Sequence, residues 1–188
     1  IQRHFFFNAL ASIRGEALEK GVDELADMTA ALSDYYRYSV AGADLVVTLE
    51  EELEHVKRYF FIQRFRFGDR FRLMTDIPEP LRRTPVPRMS LQPLVENAVY
   101  HGLAGRIGQG VVAISASEAD GMAELSVRDN GLGMSSQTLG DLNARLNGDR
   151  DALSPSSAAV TGVALFNVAG RIRTLFGAEY GLHVYSEE

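Results

Sequence analysis

From Val112 to Asp129 the apolar residues fall on alternate positions, first as Val112, Ile114 and Ala116 and then as Leu125 and Val127, and Asp120-Gly121 interrupts the run once. Period-two alternation on both sides of an Asp-Gly pair predicts a β-hairpin with one buried face. The hairpin sits in a chain whose other apolar patterns are mostly helical. Phe6, Leu10 and Ile13, then Leu25, Met28, Leu32 and Tyr35, and later Leu91, Leu94, Val95 and Ala98 recur at helical spacing. A hairpin among helices, without strict strand-helix alternation, favours an α+β sandwich over a parallel doubly wound sheet.

The helical patterns dominate residues 1–68. Gly15 and Gly21 bracket a possible bend, and a small-residue turn at Gly42 leads to Thr48, which with Glu51 forms a capping box. Behind that box, Leu49, Leu53, Val56, Phe60 and Phe67 approximate a heptad seam suited to packing two helices along their length. This region is expected to be a helical hairpin. After Gly68-Asp69 the pattern changes, which places a domain boundary near Gly68 and a second domain at 69–188. Phe71 to Ile77 suits a strand, and a stiff connector follows that holds four of the six prolines, Pro78, Pro80, Pro85 and Pro87. Ser90 is expected to cap a helix from Leu91 to about Leu103, with Pro93 tolerable in its first turn. Further helices are expected near Ser136 to Leu146 and from about Val163 to Phe176, separated by a polar loop from Asn147 to Thr161. Gly181 to Glu188 reads as a strand without its hairpin partner. Together with Ile1, an unnatural start, it suggests a fragment.

Composition removes several functions. A net charge of −6 argues against a mainly electrostatic grip on nucleic acid or an anionic membrane. With no cysteine, disulfides, thiolate metal sites and cysteine nucleophiles are excluded, and the four histidines form no obvious ligand cluster. No run approaches the roughly 20 apolar residues that span a bilayer, and no cleavable signal is visible.

Three segments carry chemistry. Asp129 is in step with Leu125 and Val127, which directs it to the buried face, where a carboxylate needs a partner. In Asp129-Asn-Gly-Leu-Gly133 the glycines permit a tight turn and close approach of a flat ligand bearing an amino group, such as adenine, although an Asx turn closing a strand explains the same residues. On the helix from Leu91, Asn97 and His101 align one turn apart. An amide oxygen there suits magnesium, and Glu96 is placed to steer a proton or support the metal's water shell. Gly162 lies at the mouth of the last helix, where free amides attract phosphate, and the Ser, Ala and Asp-rich stretch 149–160 before it has the composition of a mobile lid.

In order and spacing, these segments resemble the histidine-kinase ATPases. Leu91-Gln-Pro-Leu-Val-Glu-Asn-Ala-Val-Tyr-His-Gly102 resembles the N box, Asp129 to Gly133 the first G box, and Thr161 to Asn167 the second. Gln2-Arg-His-Phe-Phe-Phe-Asn-Ala-Leu10 resembles the H box of the LytS-type sensor histidine kinases, and Phe67-Gly-Asp-Arg70 and Arg171-Ile-Arg-Thr-Leu-Phe-Gly177 follow the habit of the same subgroup. The resemblance implies a dimerising, phosphoaccepting helical region ahead of a Bergerat-type sandwich that binds ATP with Mg2+. It implies His4 as phosphoacceptor, Asn8 one turn on along the same face, Glu96 in catalysis, Asn97 on magnesium and Asp129 on the adenine amino group. His101, Gly131, Gly133, Gly162, Leu165 and Asn167 would complete the nucleotide site. It also implies a homodimer through the N-terminal helices and a response-regulator partner of LytTR type, so that the partner rather than this chain touches DNA. The location implied is cytoplasmic, as part of a membrane-anchored sensor.

Arg3 stands where the subgroup has proline, Ala164 where the phosphate motif has a second glycine, and Tyr100 at a commonly basic position. A methyl group at 164 would obstruct phosphate, and would strain the loop if positive φ were needed. Three rival readings follow. A hydrolase of the related ATPase type needs a glutamate one helical turn before Asn97, where this chain has Pro93. A serine kinase of the anti-sigma type would not need the His4 element. A degenerate kinase that binds ATP as an interaction module is encouraged by Arg3 and Ala164.

Overall fold

In a computed structural model, residues 3–40, 42, 44–103, 108–147 and 163–186 are described. Helices α1 (Arg3–Glu19) and α2 (Asp23–Val40) form an antiparallel pair. The chain reverses between them at Gly21, whose φ of 67° is accessible to glycine at little cost. Gly15 does not bend the first helix. Phe6 packs against Tyr36 with the rings tilted and centroids 4.3 Å apart, and Leu10 is buried. Ile13 of the same predicted stripe is 48% exposed, because a single partner helix covers only part of the α1 surface.

A short strand β1 (Val46–Thr48) leads into α3 (Leu49–Phe67), and the capping box forms as expected: Thr48 Oγ1 accepts from the Glu51 amide while Glu51 Oε2 accepts from the Thr48 amide at 2.8 Å. Strand β2 (Phe71–Asp76) follows. The proline connector is shaped by a 3₁₀ turn at Glu79–Arg83 and by β3 (Pro85–Pro87), which pairs antiparallel with β1. Helix α4 (Leu91–Asn97) continues through one π turn, Ala98–Gly102, closed by the Leu103 amide on the Ala98 carbonyl at 3.0 Å.

The hairpin is present as β4 (Gly110–Ala119) and β5 (Met122–Asp129). Asp120 and Gly121 both have positive φ, 53° and 76°, as a type I′ turn requires. Strand β4 also pairs in parallel with β2, giving the order β2-β4-β5. Helices α5 (Ser136–Leu146) and α6 (Val163–Phe176) complete the regular elements among the described residues. Residues 181–186 are not a strand; Asn143 holds them through a pair of hydrogen bonds with Val184, at 2.7 and 3.0 Å.

The main core joins Leu49, Leu53 and Val56 of α3 to Val86, Leu91 and Val95, and to Val112 and Ile114 of β4. Apolar packing therefore runs without a break across residue 68, and the α3 seam faces the sheet body as well as α2. A heptad pattern specifies an apolar face and leaves its partner open. The result is a mixed helix and sheet fold with a helical N-terminal region followed by an α/β sheet region. Among the described residues no helix is long and apolar enough to cross a membrane.

Candidate functional site

The first turn of α4 is fixed by a carboxylate from another helix. Glu52 of α3, with no exposed surface, accepts from the backbone amides of Met89, Ser90 and Leu91 at 2.7, 2.8 and 2.9 Å and from the Tyr38 hydroxyl at 2.6 Å. A negative charge on free helix amides is favourable. Ser90, the expected cap, makes no capping bond to the helix; its backbone is already helical, with ψ at −41°. Burial and Glu52 push the Tyr38 hydroxyl up and keep it protonated.

One turn on, His55 is fully buried between two rings, Tyr35 at 4.6 Å and Tyr38 at 4.4 Å. Its Nε2 meets Gln92 Oε1, and Gln92 Nε2 donates to Tyr35 Oη and to Glu96 Oε1, the latter at 2.8 Å. Burial holds the His55 pKa below its ordinary value, so the ring is neutral with its proton on Nε2. The other nitrogen, Nδ1, has no hydrogen-bond partner. That costs less than an orphaned N–H would. Neither Glu52 nor His55 figures among the sequence candidates. A signal for both existed, since 49, 52, 53 and 56 and then 52, 55, 56 and 59 follow helical spacing on the apolar face, where a polar residue calls for a partner.

The predicted nucleotide residues come from adjoining elements. Helix α4 with its π turn packs against β5 and α6. Glu96 and Asn97 are half-buried at the C-terminal end of α4. The π turn changes the phase on which the alignment of Asn97 with His101 rests, and the His101 side chain lies outside the described residues. Asp129 is opposite buried Val112, on the core face by register, yet it is exposed because it ends an edge strand. Its Oδ1 accepts from the Gly131 amide at 2.8 Å, the Asx arrangement. Gly133 has a φ of 71°.

Gly162 and the stretch 149–160 lie outside the described residues. Leu165 is buried with Leu146 and Ala169 in a second core, so its side chain serves packing, while Asn167 is exposed on α6. Ala164 occupies the first turn of α6 and is absent from the positive-φ residues, so the strain considered for it does not arise. Arg171 ties α6 to the loop before α4, donating to the carbonyls of Arg88 and Met89 at 2.6 Å each, and Arg173 reaches the Leu146 carbonyl.

His4 is exposed on α1, with its Nδ1 3.1 Å from the Asn8 side-chain amide one turn on. A family model described as histidine kinase matches residues 1–71. Sensor histidine kinase YesM of Bacillus subtilis is 32% identical over 187 residues, and sensor protein LytS of Bacillus cereus is 34% identical over 188, each alignment covering 100% of this chain. The chain belongs to the LytS-type histidine kinases. It spans 30% of the length of either relative. Among solved structures, the histidine kinase domain of the Erythrobacter litoralis EL346 blue-light activated kinase aligns with a TM-score of 0.39 at 18% identity, covering 72% of this chain and 75% of that one. The family match includes α1, where His4 lies, and the described residues show what stands between α1 and α4: α2 and the buried face of α3 that carries Glu52 and His55.

Proposed function

We propose that this chain is the catalytic core of a sensor kinase that autophosphorylates on His4 with ATP and passes the phosphoryl group to an aspartate of a response regulator, by family analogy one of LytTR type. The observation that carries this reading is the His4–Asn8 pair on the exposed side of α1, within the family match. Drawn with Asn8 Nδ2 toward the ring, the pair makes Nδ1 an acceptor. Turning the amide by 180° offers its oxygen to an Nδ1–H and leaves the Nε2 lone pair free. Nε2 then bonds to the γ-phosphorus, the bond to the bridging oxygen breaks, and ADP leaves with the electron pair while Nδ1 retains its proton.

The residues present suit the ligands. The second oxygen of Asp129 is available to the adenine amino group once Oδ1 is engaged with Gly131, and Asn97 offers a half-buried amide oxygen for magnesium beside the Glu96 carboxylate. Magnesium, when bound, would neutralise charge on the phosphates. Gly131, Gly133, Asn167, His101, Gly162 and the backbone at Leu165 would line the rest. Two chains would pair through α1 and α2. The test is incubation of the intact protein with γ-labelled ATP and Mg2+ beside His4→Gln and Asp129→Asn. Acid-labile label lost in His4→Gln and weakened nucleotide binding in Asp129→Asn are expected. ATP binding without label would leave an interaction module in its place, a reading that Arg3 favours. Unchanged affinity in Asp129→Asn would remove the adenine assignment.

A further inference from the structure

The nucleotide end of α4 is connected to the acceptor hairpin through the Gln92 side chain. Gln92 is 5% exposed, and its amide is fully used. Oε1 accepts from His55 of α3, and the two Nε2 hydrogens go to Tyr35 of α2 and to Glu96, one turn ahead on α4. The reverse orientation of the amide would set its NH2 against the His55 N–H and its carbonyl against the Glu96 carboxylate. The second contact is repulsive whatever the His55 tautomer, so the Glu96 carboxylate fixes which way the amide points and His55 takes the tautomer that donates from Nε2. His55 cannot shift to accommodate a turned amide, since rings of α2 lie on both of its faces.

We infer that Gln92 is a positioning residue for phosphoryl transfer, aiming the Glu96 carboxylate beside Asn97 and itself held in place by Tyr35 and His55, so that the placement of α2 sets the geometry of the nucleotide site. This rests on the kinase reading above. Glu96 touches the reacting groups in that reading; Gln92, Tyr35 and His55 act through it. A slide of α2 that withdraws the Tyr35 hydroxyl leaves one Gln92 hydrogen unpaired in a buried site and loosens the aim of Glu96. The helical hairpin thereby has a direct mechanical input to the N box, independent of where His4 itself travels.

The intact kinase is compared with Gln92→Met, which keeps volume but loses all three bonds, with Tyr35→Phe, which removes one oxygen and keeps the stack on His55, and with the double variant. For Gln92→Met, kcat of autophosphorylation is expected to fall about tenfold with KM for ATP within about twofold, the pattern of an interaction that acts on the chemical step. Tyr35→Phe is expected to lower kcat about threefold, and the double variant to be slower than Gln92→Met by clearly less than threefold, since Tyr35 works chiefly through the amide and only in part on Glu96 directly. Retained kcat in Gln92→Met, or a fall in kcat matched by an equal loss of ATP affinity, overturns the inference. So does a double variant in which the two effects multiply. A parent protein that neither binds ATP nor labels on His4 overturns the kinase reading, and this inference falls with it. A parent that labels normally while Gln92→Met is unimpaired overturns the inference alone.

Discussion

The α1–α2 hairpin and the body built from α3, α4 and the sheet are both amphipathic by sequence, but they finish differently. In the body, Leu49, Val56, Val95 and Val112 have no exposed surface, and the polar residues on the same face, Glu52 and His55, are buried and bonded. In the hairpin, Leu10, Ala17, Ala26 and Thr29 are buried, while Phe5, Ile13, Leu18, Val22 and Leu25 remain exposed. Ile13, Ala17, Val22 and Leu25 line one apolar groove near the turn. Two helices can cover only one stripe of each other, whereas a helix on a sheet with a further helix at its side is covered over more of its surface. The hairpin thus carries more apolar surface than its own fold uses, as a region that pairs with a second copy would, and the body holds Glu52 and Gln92 on its buried side by bonding them to several donors and acceptors.

The sharpest way to break this contrast is to remove the charge from the body. Glu52→Ala would leave the Met89, Ser90 and Leu91 amides and the Tyr38 hydroxyl without their acceptor, two of those amides in buried residues. A loss of about 3 to 5 kcal/mol is expected from urea unfolding, the range for stripping one member from a buried charged network. Glu52→Gln should lose less, because its amide oxygen still accepts from one or two of the donors. A loss below about 1 kcal/mol for the alanine variant would mean that water replaces the carboxylate and that the network adds little.

A second comparison sets equal kinds of residue against unequal surroundings. Leu53→Ala, at 2% exposure, should cost about 2 to 5 kcal/mol through lost burial and the cavity left behind. Ile13→Ala should change unfolding of the separated chain by no more than about 0.5 kcal/mol, as for other exposed positions. The same substitution should weaken self-association, measured by sedimentation over a range of concentrations. If Ile13→Ala leaves self-association unchanged, the groove near the turn is not where two copies meet.

Legibility in the sequence divides along the same line. Features decided within a few residues were readable: the Thr48–Glu51 box, the hairpin turn at Asp120-Gly121, and the end of α6 at Phe176. Features decided by a distant partner were not. Ser90 is a good cap by local preference, but Glu52, 38 residues earlier, supplies a full charge to the same amides. Asp129 has the predicted face but not the predicted burial, because periodicity gives the side of a strand and says nothing of whether a neighbour covers its end. Residues 181–186 carry an alternating pattern, and Asn143 takes the backbone bonds that a partner strand would otherwise have taken. The candidate site was legible as a set of motifs, while the link from α2 to Glu96 through Gln92 was hidden by a sequence separation of 57 residues between Tyr35 and Gln92.

The smallest expected effect is a pH dependence that belongs to the body alone. Burial lowers the His55 pKa in the folded chain, so the unfolded chain, whose histidine titrates near 6.5, takes up the proton first. The stability His55 contributes as a neutral ring is complete above that unfolded value and is lost as pH falls from it toward the folded one. Glu51 cannot imitate this: the Thr48 amide and hydroxyl hold its carboxyl below its ordinary value of 4.5, so its contribution disappears only in more acidic solution. Urea midpoints taken at steps between about pH 7.5 and 5 should therefore decline in the parent and flatten in His55→Phe, which keeps a ring between Tyr35 and Tyr38 but has nothing to protonate. An equal decline in both would place the acid sensitivity elsewhere. His55 would then be a ring held by its neighbours, with no share in the difference between the two regions.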